Sequence, residues 1–115
     1  MNKVTLRGRV GSEPEFRNLN NGGRVCSFRL ATEEGWKSGD EWKKRTTWHT
    51  IETFRDADQK TIEAHVNKGD QILVEGTIRV EDYEDRDGVK RTSFKIVTTD
   101  YEHGIYLDPR GARSE

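Results

Sequence analysis

Hydrophobic and polar positions alternate through the first ten residues. Val4, Leu6 and Val10 fall on one face with Gly8 in register, and Lys3, Thr5, Arg7 and Arg9 fall on the other. Strict alternation marks a half-buried strand, so the pattern predicts a first strand over 3–10 with cations on its polar face. Gly8 and Gly11 suit a bulge or bend of the kind that curls a small sheet. Pro14 keeps the next segment out of a regular sheet interior. Asn20-Asn21-Gly22-Gly23 predicts a turn, because Asn and Gly tolerate positive φ. A second strand over 24–32 points Cys26, Phe28 and Leu30 inward and Ser27 and Arg29 outward. Residues 33–44 are polar and carry Trp36 and Trp42 among Lys37, Lys43 and Lys44, which predicts a long hairpin arm or loop.

The third strand, 45–55, is rich in Thr, Trp, Ile and Phe, residues that fit a pleated surface. Trp48 and Phe54 are six apart and share a face with Thr50 and Glu52, while Ile51 points the other way between His49 and Thr53. Two readings of this strand stay open. Aromatics bracketed by Arg45 and Arg55 suit the stacking of single-stranded bases; alternatively they fill a core, and Ile51 packs at a subunit contact.

After Phe54 the period changes. Ala57, Thr61, Ile62, His65 and Val66 recur at helical spacing, which predicts a helix over 57–67, with Asp56 or Asp58 as cap and Asn67-Lys68-Gly69 as stop. His65 belongs to that helix's packing or its surface. Residues 70–83 form the longest alternating run: Ile72, Val74, Ile78 and Val80 inward with Gly76 at a bend, and Arg79, Glu81 and Tyr83 outward. Arg86-Asp87-Gly88 turns the chain, and 89–98 returns with Phe94 and Ile96 opposite in face to Arg91, Ser93 and Lys95. Past Asp100 the pattern fades. The expected division is a domain over 1–106 and a short disordered extension over 107–115.

Three strands, a helix and two strands is the order of an OB-fold: an all-β, five-stranded Greek-key barrel with one short helix between strands 3 and 4, here with extended hairpin arms. At 115 residues, 30% hydrophobic and 36% charged, the chain makes one small domain with a large polar surface. The net charge of −1 removes any global basic signature, so a nucleic-acid site must be a local arrangement of Lys and Arg. The single cysteine, Cys26, excludes an internal disulfide and reads as a small buried hydrophobe. With the three histidines it makes no zinc pattern. No acid–base, nucleophile or phosphate-loop constellation supports an enzyme, and no cofactor is expected. No apolar run reaches membrane length, and Met1-Asn2-Lys3 leads straight into a strand, so a cytoplasmic, nucleoid-associated protein is expected.

Several stretches, in this order, resemble the bacterial and phage-type single-stranded DNA-binding protein family. They are Asn2-Lys3-Val4 ahead of Leu6, Gly8, Val10 and Gly11; Pro14-Glu15-Phe16-Arg17 followed by Asn21-Gly22-Gly23; Leu30-Ala31-Thr32 before Trp36; Thr47-Trp48-His49 with Phe54; Lys68-Gly69-Asp70 leading into Val74-Glu75-Gly76-Thr77-Ile78-Arg79; and the hairpin from Tyr83 to Arg91. The resemblance implies single-stranded DNA as partner. It implies stacking on Trp36, Trp48, Phe54 and Tyr83 and phosphate contacts from Lys3, Lys68, Arg79 and Arg91. It places His49 at a subunit contact of a homo-oligomer, usually a homotetramer in relatives, with a dimer left open. Trp42 has no clear family counterpart; it either extends the stack or braces the loop.

The sequence departs from that pattern in two places. Glu81, Asp82, Glu84, Asp85 and Asp87 surround Tyr83 where relatives tend to carry cations, which predicts weaker binding or a shorter occluded strand unless the acids face away. Relatives also usually continue to an acidic tip that recruits other enzymes, whereas Arg110 and Arg113 stand at the end here, so tail-mediated partners are not expected. A second functional reading, from a different class, is an OB-fold adaptor of the primosome type that mainly bridges partners.

Overall fold

The computed structural model describes residues 1–99 and 102–108. Its elements run β1 Val4–Val10, β2 Glu15–Asn18, β3 Arg24–Ser38, β4 Glu41–Thr53, α1 Asp56–His65, β5 Gln71–Glu84, β6 Lys90–Thr98 and β7 Gly104–Leu107. Five strands close a barrel, since β1 pairs with β3, β3 with β4, β4 with β6, β6 with β5, and β5 again with β1. Within the barrel only β4 and β6 run parallel. With α1 between β4 and β5, this is the expected OB order. β2 lies on β3 and β7 on β5. At four residues each, these two strands are too short to leave an alternation signal.

Alternation decides what fills the barrel. Val10, Cys26, Phe28, Leu30, Ile51, Ile72, Val74 and Ile96 form one buried cluster, joined by Ile62 and Val66 from the helix segment and Ile105 from β7. Ile51 points inward and is fully buried, so Trp48 and Phe54 lie on the outer surface. The reading that puts those aromatics in the core is thereby excluded. Cys26 is buried as expected, and burial pushes its thiol up to about 11, which leaves it un-ionised and unreactive near neutrality. Closing so narrow a barrel brings backbones together. A Cβ at Gly8 would run into the carbonyl of Ala31, and one at Gly76 would lie 2.5 Å from the carbonyl oxygen of Val97. Both glycines therefore answer a close strand approach.

Two hairpins extend beyond the barrel. β3 and β4 stay paired out to Ser38 and Glu41, around Gly39 at φ +63°, so the polar stretch is an arm with residues 33–46 exposed. β5 and β6 form the second arm, turning at Gly88, φ +77°. That arm corrects one expectation. Ile78, Val80 and Phe94 keep the inward register but are exposed, Phe94 at 62%. All three lie on one face: Ile78, opposite the buried Ile96, stands at the barrel's rim, and Val80 opposite Phe94 lies past it, where no interior lies beneath them. Period two fixes the face of a strand but carries no mark of where the barrel stops.

The helix also starts differently from expectation. Arg55 is the N-cap, without a side-chain cap hydrogen bond. Asp56 and Asp58 lie inside the first turn, where acids still favour the helix dipole. Asp56 pairs with Lys60 at 3.0 Å. Asp58 turns inward, and its carboxylate accepts from Arg55 Nη1 at 2.9 Å, Thr98 Oγ1 at 3.1 Å, the backbone N–H of Ile105 at 3.2 Å and Thr53 Oγ1 at 3.3 Å. One buried carboxylate thus ties together the helix, the ends of β4 and β6, and β7.

β7 runs through Leu107. Asp108 behind it is buried and accepts from Gln71 Nε2 at 2.9 Å. Of the disordered extension expected over 107–115, residues 109–115 lie outside the described residues.

Candidate nucleic-acid interface

Directly paired residues of neighbouring strands share a face, so the register assembles the outer surface. Arg29 of β3 lies opposite Thr50 of β4, Thr50 beside Lys95 of β6, and Lys95 opposite Arg79 of β5. Strands sit about 4.8 Å apart, so three cations are strung over roughly 14 Å of the barrel's outside. Of these only Arg79 was singled out as a site residue from the sequence. Alternation marks Arg29 and Lys95 as outward, but the parallel β4–β6 pairing that lines them up with Arg79 leaves no trace in one sequence.

Trp48 stands at one end of this line. It pairs with Ala31, its ring lies on Gly11, and the Arg29 guanidinium sits 5.1 Å from the ring centroid. Half of the residue, 52%, remains exposed. A flat ring supported from behind with a cation alongside offers two planes, the indole and the guanidinium, of the kind on which bases can stack. Gly11 is its floor: any Cβ there would occupy the ring's position. Gly11→Ala is therefore expected to tilt Trp48 and weaken single-strand binding several-fold while the thermal midpoint moves little. Unchanged binding together with unchanged tryptophan fluorescence would show the ring does not depend on that floor.

The other expected site residues are laid along the surface and not gathered into a pocket. Phe54 follows β4 directly and is exposed, its N–H donating to the carbonyl of Thr98 at 2.9 Å. Tyr83 lies on the second arm opposite Arg91, on the same face as Arg79 and Lys95. Trp36 lies on the first arm, but parity puts it on the ribbon face opposite to Trp48, with Arg45 5.6 Å over its ring. Lys68 is exposed in the loop after the helix; its neighbour Gly69 donates to the carbonyl of Val10, next to Gly11. That bond brings Lys68 to the Trp48 end of the barrel. Lys3 lies at the far end of β1, 3.5 Å from Glu75.

Carboxylates already engage several of these cations. Arg91 donates to Asp85 at 2.6 Å, and Lys95 lies 3.5 Å from Glu52 and 4.0 Å from Glu81. The bond from Arg91, with backbone donors Val89 and Asp87 in the same turn, holds the Asp85 carboxyl below the usual range. The acidic arm is thus divided. Asp82 and Glu84 point to the face opposite Tyr83, whereas Glu81 and Asp85 sit on the Tyr83 side and bind its cations. Asp85→Asn keeps the acceptor that the turn needs but loses the charge. We expect it to tighten single-strand binding about two- to fivefold and to steepen the salt dependence by about 0.7, one phosphate contact's worth. No change in either quantity would show that Arg91 lies off the DNA path.

His49 points toward the barrel interior at its rim, within 2.9 Å of Thr32 Oγ1. Burial lowers its pKa from 6.5. The unfolded chain therefore binds the proton more readily than the folded one. The resulting stability is complete above pH 6.5 and is lost as the pH falls from there through the folded value. His49→Gln is expected to flatten the thermal midpoint between pH 7 and 5; an unaltered slope would assign the acid sensitivity elsewhere.

Among the described residues no group of three His, Cys, Asp or Glu side chains could hold a metal ion, and no helix is long and apolar enough to cross a membrane. What the fold and surface define is an OB-fold barrel with aromatics and cations on its outer face. Residues 1–103 match the single-strand binding protein family. The chain is 33% identical over 114 residues to a single-stranded DNA-binding protein of Rhizobium meliloti, covering 96% of this chain and 66% of that protein. It is 37% identical over 101 residues to one of Neisseria meningitidis, covering 87% of this chain and 58% of that protein. The fold superposes with a TM-score of 0.86 on a Plasmodium falciparum SSB in complex with single-stranded DNA, at 29% identity over 93% of this chain and 94% of that one. The chain belongs to the single-strand binding protein family.

Proposed function

We propose that this chain binds single-stranded DNA with little regard to sequence, protecting the strand and removing its secondary structure during replication, recombination or repair. The observation that carries the reading is the line Arg29, Lys95 and Arg79 beside the supported ring of Trp48, on the outside of a barrel whose interior is already full. Bases stack on Trp48, Phe54, Tyr83 and, from the first arm, Trp36. Phosphates follow Arg79 and Lys68, with Lys3 and Arg91 recruited once their carboxylates are displaced. Such trapping of unpaired bases is passive and requires no catalytic group or cofactor. It places the protein with the nucleoid in the cytoplasm.

The assembly is a homo-oligomer, a tetramer by the family's habit. Two features support self-association. Ile78, Val80 and Phe94 make an exposed apolar face on the second arm. β1 also pairs with β3 only at Arg9 and Val10, so that edge of its earlier residues lacks a strand partner among the described residues, an open template for pairing. His49, part-exposed at the barrel's rim, is the β4 residue that would meet a neighbour.

The ion pairs at Lys3, Arg91 and Lys95 favour the second reading, a partner-bridging OB module for which DNA is secondary. Equilibrium binding to a poly-pyrimidine strand, a mixed-sequence strand and the matching duplex separates the two. Tight, similar binding to both single strands and much weaker binding to duplex is expected; equal or no binding to all three would favour the adaptor.

A further inference from the structure

The feature the reading above leaves unused is Trp42, the most exposed tryptophan of the chain at 76%. The register of the first arm sets Trp42 directly opposite Lys37 and Lys44 opposite Gly35. All four lie on one face of the ribbon, and along β4 that face continues through Thr46 to Trp48. Trp36 lies on the other face with Lys43 opposite it and Arg45 over its ring. The arm is therefore two-sided, with one tryptophan and its own cations on each side.

We infer that Trp42, with Lys37 and Lys44, is an additional nucleotide-stacking site that extends the path of the single strand from Trp48 out along the first arm. Three observations carry this. The indole is three-quarters exposed near the arm's tip, too open to serve as a brace. Gly35, opposite Lys44, leaves a shallow groove of about 380 Å³ beside the ring, lined by Gly35, Trp42, Lys43 and Lys44. A Cβ at Gly35 would meet only the carbonyl oxygen of Lys43, at 3.8 Å, so steric crowding does not demand the glycine; its effect is to keep that groove open. The charges also differ between the arms. Arg91 and Lys95 of the second arm are ion-paired, whereas among the described residues neither Lys37 nor Lys44 has an ion-pair partner. Within the arm, the one carboxylate strand-paired on the same face, Glu33, sits opposite Thr46, at the barrel end. Six residues separate Trp42 from Trp48, about 20 Å of strand, so a strand that spans both covers more of the chain than the barrel alone provides.

This inference rests on the single-strand reading, and its test keeps the two apart. Thymidine oligomers of about 16 nucleotides, the upper end for one OB-fold, are titrated against wild type, Trp42→Ala, Trp42→Phe, Gly35→Val and Trp48→Ala. Trp42→Ala is expected to bind about fivefold weaker or worse, with Trp42→Phe recovering most of the loss and Gly35→Val reproducing it by filling the groove. Thermal midpoints should stay within a degree or two of wild type. In Trp36→Phe/Trp48→Phe, where Trp42 is the sole tryptophan, saturating oligomer should quench the fluorescence. Normal affinity in Trp42→Ala with an unquenched Trp42, while Trp48→Ala is impaired, overturns the additional site and leaves the main reading standing. Normal affinity in both Trp42→Ala and Trp48→Ala overturns the aromatic platform itself.

Discussion

Trp48→Ala is expected to weaken binding of a long single strand by about 1–3 kcal/mol, roughly five- to 150-fold, while assembly and folding persist. The ring is on the outside of β4, supported by Gly11 and flanked by Arg29, and it adds nothing to the barrel's interior. Removing it leaves Ile51, on the opposite face of the same strand, packed as before. The loss also deprives Arg29 of its ring, so part of the effect should appear as a shallower salt dependence. Binding isotherms paired with sedimentation of the unliganded protein check both halves. Should Trp48→Ala change the oligomeric state and spare affinity, β4 would be an interface strand on both faces. His49→Ala is the mirror case and is expected to disturb assembly before it disturbs binding.

Asp58→Ala is expected to cost about 3–5 kcal/mol of stability, the scale for breaking a buried charge pair. One carboxylate accepts from Arg55, Thr53, Thr98 and the backbone of Ile105, and the truncation leaves all four donors without it. A domain of this size should then melt at least about 10 °C lower. Amide exchange should locate the damage, with protection at Ile105 lost first because β7 is held to the helix through that bond. Asp58→Asn retains an acceptor oxygen and should fall between. A melting point within a degree or two of wild type for Asp58→Ala would mean that the helix and β7 are held by apolar contacts alone.

Much of this was legible from alternation. Ile51 against Trp48, Ile72 and Val74 against Arg79, and Cys26, Phe28 and Leu30 against Arg29 all follow from period two, and the barrel order follows from where the period changes near Phe54. Three things were hidden, each for a physical reason. Ile78, Val80 and Phe94 obey the inward pattern yet lie at or past the barrel's rim, whose place depends on how many residues five strands need to close. Lys95 meets Thr50 and Arg79 only through a parallel pairing between strands far apart in sequence. Asp58 reads as a helix cap, and its role as the buried anchor of β7 depends on Thr98 and Ile105 arriving from 40 or more residues away. The acidic arm was visible as composition; that Asp85 turns back onto Arg91 while Asp82 and Glu84 face away needed the hairpin's register.

Stacking of bases on tryptophans outside the barrel, with a short row of cations following the backbone, has a direct optical signature. Its most direct test is titration of the intrinsic tryptophan fluorescence with a poly-pyrimidine strand at two salt concentrations, with duplex as control. Strong quenching by the single strand only is expected, with a log affinity that falls with log salt at a slope of roughly −2 to −3, as three or four phosphate contacts would give. Absence of quenching by the single strand, or equal quenching by duplex, would contradict it.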